Sequence, residues 1–330
     1  MRTRLLTRLL CLALLLGATA SCTKKKTEGD LPLMAKMELY GFRPYARLED
    51  RIVPMPPRLL ELYRQMDGRP DYKAYHPSPE EKALFLEYLR LMPPAVDRLF
   101  RAKCVGLYFV EGFMGNGMTS WVVNEMGQTY FHMTLNPAAF RQTLSETLTE
   151  RESSCFIPAE GWKISVEAGT KYKGLAYAVF HEAAHAMDYM AGITPLVDPD
   201  LPERFRPPFR PDGGIFTKSW TSHSVPAPGG DYPYRDKLTF YGLGGGPKIP
   251  VAEAPGIYKG LLASPFASLY GSKSWAEDLA ELTAYGLIAR KLGQPYKITV
   301  TGPAGKSVSE PMKGRAGRRA EAILKLLEKI

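Results

Sequence analysis

Apolar residues recur most regularly between residues 175 and 190. Leu175, Ala178, Val179, Ala183, Ala186, Met187 and Met190 fall at three- and four-residue steps, the stripe of a core-facing helix that Gly192 ends. The same periodicity predicts a helix around residues 57–65 and another from Ser78-Pro79-Glu80-Glu81 to about Leu91. A third begins at Pro93-Pro94 and carries Val96, Leu99 and Phe100 at helical spacing. Two more cover roughly Ser274–Leu292 and Arg318–Ile330. Between residues 105 and 135 the pattern becomes β-branched and aromatic, with Val105–Phe113, Thr119–Val123 and Thr129–Leu135 separated by Gly115-Asn-Gly and Glu125-Met-Gly-Gln. These read as an antiparallel meander ending at Asn136-Pro137, with a further short strand near Lys163–Glu167. The fold class is α+β, a small antiparallel sheet packed on a central helix and followed by a mostly helical part. Residues 36–104 read as a mostly helical extension and 105–330 as the main domain. Residues 193–269 are rich in proline and glycine with little periodicity, and a connection that long is expected to be functional or partly disordered. There is no internal repeat.

The first residues have a different character. Arg2, Arg4 and Arg8 precede a short apolar run from Leu9 to about Ala20, too short to span a bilayer, which is the pattern of an export signal over residues 1–21. The run ends in Ala20-Ser21-Cys22, which resembles the lipobox of bacterial lipoproteins, although Thr19 stands where leucine is usual. That resemblance implies lipid on Cys22 and a membrane-anchored chain in the bacterial cell envelope. Residues 22–35 lack a periodic apolar face and read as a flexible tether.

Charge and cysteines narrow the classes. The net charge of +9 falls by three, to +6, with loss of Arg2, Arg4 and Arg8. Apart from Lys24–Lys26 and the C-terminal Lys313-Gly-Arg-Ala-Gly-Arg-Arg, the basic residues are scattered rather than clustered beside aromatics, which argues against nucleic acid as a partner. Cys104 and Cys155 stay in the body of an exported chain and are expected to form one disulfide, with two free buried thiols as the alternative.

The chemistry lies on two predicted helices. Residues 181–185 read His-Glu-Ala-Ala-His, and residues four apart share a helical face, so His181 and His185 can reach one metal ion. Two imidazoles, a carboxylate and water make a tetrahedral zinc site. Glu182, adjacent to the first histidine, is positioned to take a proton from water attacking a peptide carbonyl. A third ligand at position 191 is excluded because Ala191 stands there. The later segment Ser274-Trp-Ala-Glu-Asp-Leu-Ala-Glu places Glu277 and Glu281 on one face, and either carboxylate is a candidate ligand.

With these motifs the chain resembles the gluzincin metallopeptidases, and Tyr270 through Glu281 is similar to the catalytic end of anthrax lethal-factor-like peptidases. The resemblance covers about a tenth of the chain. It implies a zincin-like catalytic domain with Glu277 as the third zinc ligand and Tyr270 as a donor to the oxyanion. It implies Glu281 as acceptor for a zinc histidine, a role that Asp188 could share. It also implies an edge strand beside the metal that binds extended substrate, for which Gln128–Asn136 is the candidate. His223, in Trp220-Thr-Ser-His, is a rival oxyanion donor or substrate contact. The expected activity is that of a lipid-anchored zinc peptidase acting on peptide or protein outside the cytoplasm. A non-catalytic binding lipoprotein of the same fold and a zinc hydrolase of non-peptide amides are the other readings.

Overall fold

Proline and glycine set the ends of the first helix. Helix α1 (Pro57–Asp67) starts on a proline, where a missing N–H leaves nothing unpaired, and stops at Gly68 with φ 63°. After strand β1 (Lys73–Tyr75), α2 (Pro79–Arg90) opens on a reciprocal cap in which the Glu81 N–H donates to Ser78 Oγ and the Ser78 N–H to Glu81. Helix α3 (Pro94–Lys103) runs directly into β2 (Cys104–Glu111), followed by β3 (Gly117–Val123) and β4 (Thr129–Leu135). Helix α4 (Leu144–Ser153) opens on a second reciprocal cap, between Thr143 and Glu146. Next come β5 (Phe156–Ile157), β6 (Lys163–Glu167) and the long helix α5 (Leu175–Ala191). The chain continues through β7 (Trp220–Ser222), β8 (Val225–Pro226), β9 (Ile249–Pro250), α6 (Ala254–Ala263) and α7 (Trp275–Arg290). It closes with β10 (Lys297–Gly302), β11 (Gly305–Ser309) and α8 (Arg315–Leu327).

This computed structural model describes residues 31–330, so the expected export signal, Cys22 and most of the tether lie outside the described residues. The fold is α+β.

The main sheet has the order β1-β2-β4-β3, with β2 parallel and β3 antiparallel to β4. The expected meander is therefore corrected: β4 inserts between β2 and β3. The reason lies in its burial, since Phe131 through Leu135 are covered on both faces, as suits an interior strand. The edge strands are β1 and β3, so Gln128–Asn136 is not the edge strand expected from the sequence.

Alternate strand residues feed two cores. Leu107, Phe109, Phe131, Met133 and Leu135 pack toward α2, α3 and α5. Val105, Tyr108, Val110 and Val122 pack on the other face with Tyr40, Leu59 and Tyr63. The N-terminal segment is thus the covering layer of the sheet, and Pro32–Ile330 form one compact unit with no boundary at residue 104. Residues 33–35 of the expected tether form a turn of 3₁₀ helix whose Ala35 is buried, and Lys36 bridges Val123.

Helix α5 packs between the main sheet and α7, with β6, β10 and β11 forming a second small sheet beside α4. The 193–269 connection is built into the molecule: Phe216, Trp220, Leu238, Phe240 and Ile249 are buried in the main core, and α6 lies within it. Cys104 and Cys155 do not pair, which corrects the expected disulfide. Each is a buried free thiol next to a carbonyl of its own segment, Gly106 for Cys104 and Arg151 for Cys155. No helix of the described residues is long and apolar enough to cross a membrane.

Candidate metal centre

The i,i+4 spacing on α5 brings the Nε2 atoms of His181 and His185 to 3.2 Å of one another. Glu277 comes from the first turn of α7. Its N–H donates to Ser274 Oγ, the helix cap, at 3.2 Å. Its carboxylate does not return to that cap but turns to the histidines, with Oε2 3.2 Å from His181 Nε2 and 3.6 Å from His185 Nε2. Donor atoms of these three residues all lie within 4.8 Å of one another. Glu281, one turn along α7, is not part of the triangle: its Oε1 hydrogen-bonds Nδ1 of His181 at 2.8 Å.

Behind Glu281 lies a buried network that the sequence did not disclose. Arg151 of α4, fully buried, donates from Nη1 to Glu281 Oε2 at 2.7 Å and from Nη2 to Glu152 Oε1 at 2.6 Å. Tyr177 donates to Glu281 Oε1 at 2.7 Å and Ser268 to Oε2 at 2.5 Å. Burial opposes the charge on Glu281, but the Arg151 guanidinium and His181 outweigh it and hold the carboxyl down to about 2. Burial likewise opposes a charge on His181. Its hydrogen bonds to Glu277 and Glu281 prevail and push it up to about 10. For Glu277, the nearby His185 and His181 overcome burial and hold the carboxyl well below the usual carboxylate range.

Glu182 sits on the same helix, 4% exposed, under strand β3. The Thr119 hydroxyl donates to its backbone carbonyl at 3.0 Å. A Cβ at Gly117 would lie 2.7 Å from Glu182 Cγ, so glycine is what lets the strand pass over this side chain. Burial raises the Glu182 pKa, and the neighbouring histidines offset it only in part.

The Tyr270 ring stacks on His181 at 5.6 Å between centroids and lines the same cleft of about 240 Å³. His223 also lines it, edge-on to Trp275. Asp188 does not support a histidine. Its Oδ1 accepts the N–H groups of Ile193 and Thr194, and its Oδ2 accepts the Thr194 hydroxyl, so it ties down the chain leaving α5. That is the duty of a capping carboxylate, and it corrects the expected second role.

Two imidazoles and one carboxylate are the donor set of a zinc site with an open position. One oxygen of Glu182 is buried with no hydrogen-bond partner, the state expected of a group that meets a cation or water, and Glu277 Oε2 has the two imidazoles as its neighbours. The residues fit the ion. Among the residues that surround the centre, Thr119 and Gly117 carry no motif in the sequence, and Arg151 shows there only as a charge in a helix opened by Thr143-x-x-Glu146. Comparison of the chain with family models, curated proteins and solved structures returned no match.

Proposed function

We propose that this protein is an exported, lipid-anchored zinc peptidase with a zincin-like catalytic unit. The observation that carries the reading is the triangle of His181, His185 and Glu277, with Glu182 buried beside it and one carboxylate oxygen unpartnered. His181, His185 and Glu277 would hold the ion. When bound, zinc supplies a Lewis acid that polarises a carbonyl and acidifies water.

The chain's own residues do the rest. Glu182 accepts a proton from water as it attacks the peptide carbonyl, then returns it to the leaving amine. Gly117 keeps the space above Glu182 clear. Tyr270 can donate its hydroxyl to the carbonyl oxygen as charge develops there. Edge strand β3 offers Gly117 to Thr119 along the cleft, where an extended peptide can add as a further strand.

Metal content of the purified chain tests the centre. About one zinc per chain, sharply reduced in Glu277→Ala, is expected, and a wild type that takes up no zinc on reconstitution would remove the mechanism. Glu182→Gln tests the chemistry: peptide cleavage should be lost with zinc retained.

A further inference from the structure

Three cavities adjoin in a row that starts at the centre. The one at the histidines, about 240 Å³, shares Gly117, His181, Glu182 and Tyr270 with a smaller one of about 70 Å³. The smaller shares Met114, Gly115, Asn116 and Tyr241 with a third of about 380 Å³. Glu182 therefore has open space on both sides, the larger of the two at the histidines.

The arm at the histidines has an unusual electrostatic character. The protein is basic, with a net charge of +9, yet no lysine or arginine lines this arm, whereas Glu182, Glu277 and Asp198 do. Against a doubly charged ion and neutral histidines, three carboxylates still leave the arm negative. Glu182 and Glu277 are committed to the centre. Asp198 is not.

Asp198 is held rigidly. Its Oδ2 accepts the Tyr189 hydroxyl at 2.9 Å and the Trp121 indole N–H at 3.2 Å, while Oδ1 accepts the Asp200 N–H at 2.7 Å. Tyr189 lies four residues beyond His185 on α5, and α-helical rise makes that about 6 Å along the same face. A carboxylate has about four acceptor positions, so one remains for a ligand. Asp198 is partly exposed, and the orphaned, buried Glu182 oxygen opens on the same arm. Burial lowers the pKa of His223, the remaining histidine there, and disfavours its cationic form.

Resting on the peptidase reading, we infer that this arm selects a cationic side chain, guanidinium or ammonium, on a substrate residue close to the scissile bond. Asp198 is its carboxylate partner and so a specificity-determining residue.

The test uses N-acetylated peptide pairs that differ only by arginine against citrulline, the same shape without the charge, scanned through the positions flanking the cut. Two readouts are taken: kcat/KM with the zinc-loaded chain, and peptide affinity for Glu182→Gln. Arginine is expected to win at one position by at least about tenfold in both. In Asp198→Asn that ratio should fall to about one, whatever the absolute rate.

Equal handling of arginine and citrulline at every position would overturn the assignment without any Asp198 variant, so it does not depend on that variant folding. A preference that survives in Asp198→Asn would overturn it too. A preference seen only with unblocked N-termini would mean that the cation is the α-amine, and the side-chain assignment would fall. Peptides cut without charge preference sink this inference alone. No cutting and no binding of any peptide would sink the peptidase reading and this inference with it.

Discussion

Arg151 and Glu281 meet with no exposure to solvent, Nη1 to Oε2 at 2.7 Å, and the other oxygen of Glu281 holds Nδ1 of His181 at 2.8 Å. A cation buried on α4 thus fixes the charge of the group that orients a candidate metal ligand on α5. A carboxylate in this position sets both the ring orientation and the tautomer of the histidine.

Removing the cation should be costly. Arg151→Met leaves Glu152 and Glu281 buried without the guanidinium that bridges them, with His181 still beside Glu281, and breaking a buried pair from one side costs about 3–5 kcal/mol. Chemical denaturation of metal-free protein would show it, with Arg151→Lys recovering part of the loss. Glu281→Gln should instead weaken zinc binding, by about 10–100-fold. Competition with a chelator measures that, and an unchanged zinc affinity would mean that Glu281 does not support the site.

Gly117→Ala tests the close approach over Glu182. The added carbon would meet both Glu182 Cγ and Leu135 Cδ2 at 2.7 Å, so the strand or the carboxylate must shift. Misplacing a catalytic group by an ångström costs about 10²-fold in rate. The expected result is a loss of that order in kcat/KM with zinc content unchanged. Full activity in the variant would show that Glu182 tolerates the displacement or has no catalytic part.

His132 gives a pH dependence outside the centre. It is fully buried in β4, hydrogen-bonded to Tyr63 at 2.9 Å, and burial pushes it down to about 3. The folded state therefore keeps it neutral, while the unfolded chain takes up its proton below about pH 6.5. Its contribution is present above pH 6.5 and is lost as pH falls from there toward 3, by about 1.4 kcal/mol per unit once well below 6.5. Urea unfolding of metal-free wild type and His132→Gln between pH 7 and 4.5 isolates it as the difference between the two curves. Parallel curves would show that His132 takes up its proton in the fold.

The two buried thiols should be unreactive until the chain unfolds. Burial pushes Cys104 up to about 12 and Cys155 well above its ordinary value, so little thiolate is present near neutral pH. Iodoacetamide is expected to label both only in denaturant, as read by peptide mapping without prior reduction. Labelling of neither, with both appearing after reduction, would establish a disulfide in place of the two free thiols.

By itself the sequence determined what lies close along the chain. Helix α5, the i,i+4 pair His181 and His185, the adjacent Glu182 and the cap of α2 all depend on spacings of a few residues, which periodicity and capping chemistry read directly. Helix α4 escaped because Arg151 and Glu152 occupy its buried face, so its apolar stripe is broken where the network runs. Strand order escaped for another reason: hairpin reasoning pairs neighbours, whereas burial on both faces put β4 between β2 and β3. Only the tertiary structure separated Glu277, which faces the two histidines, from Glu281, which faces the back of one. It also gave Asp188 to the chain leaving α5, placed Gly117 above Glu182, and set Asp198 in the cleft. Each of those depends on side chains from elements far apart in sequence, whose meeting is decided by packing and leaves no local pattern to read.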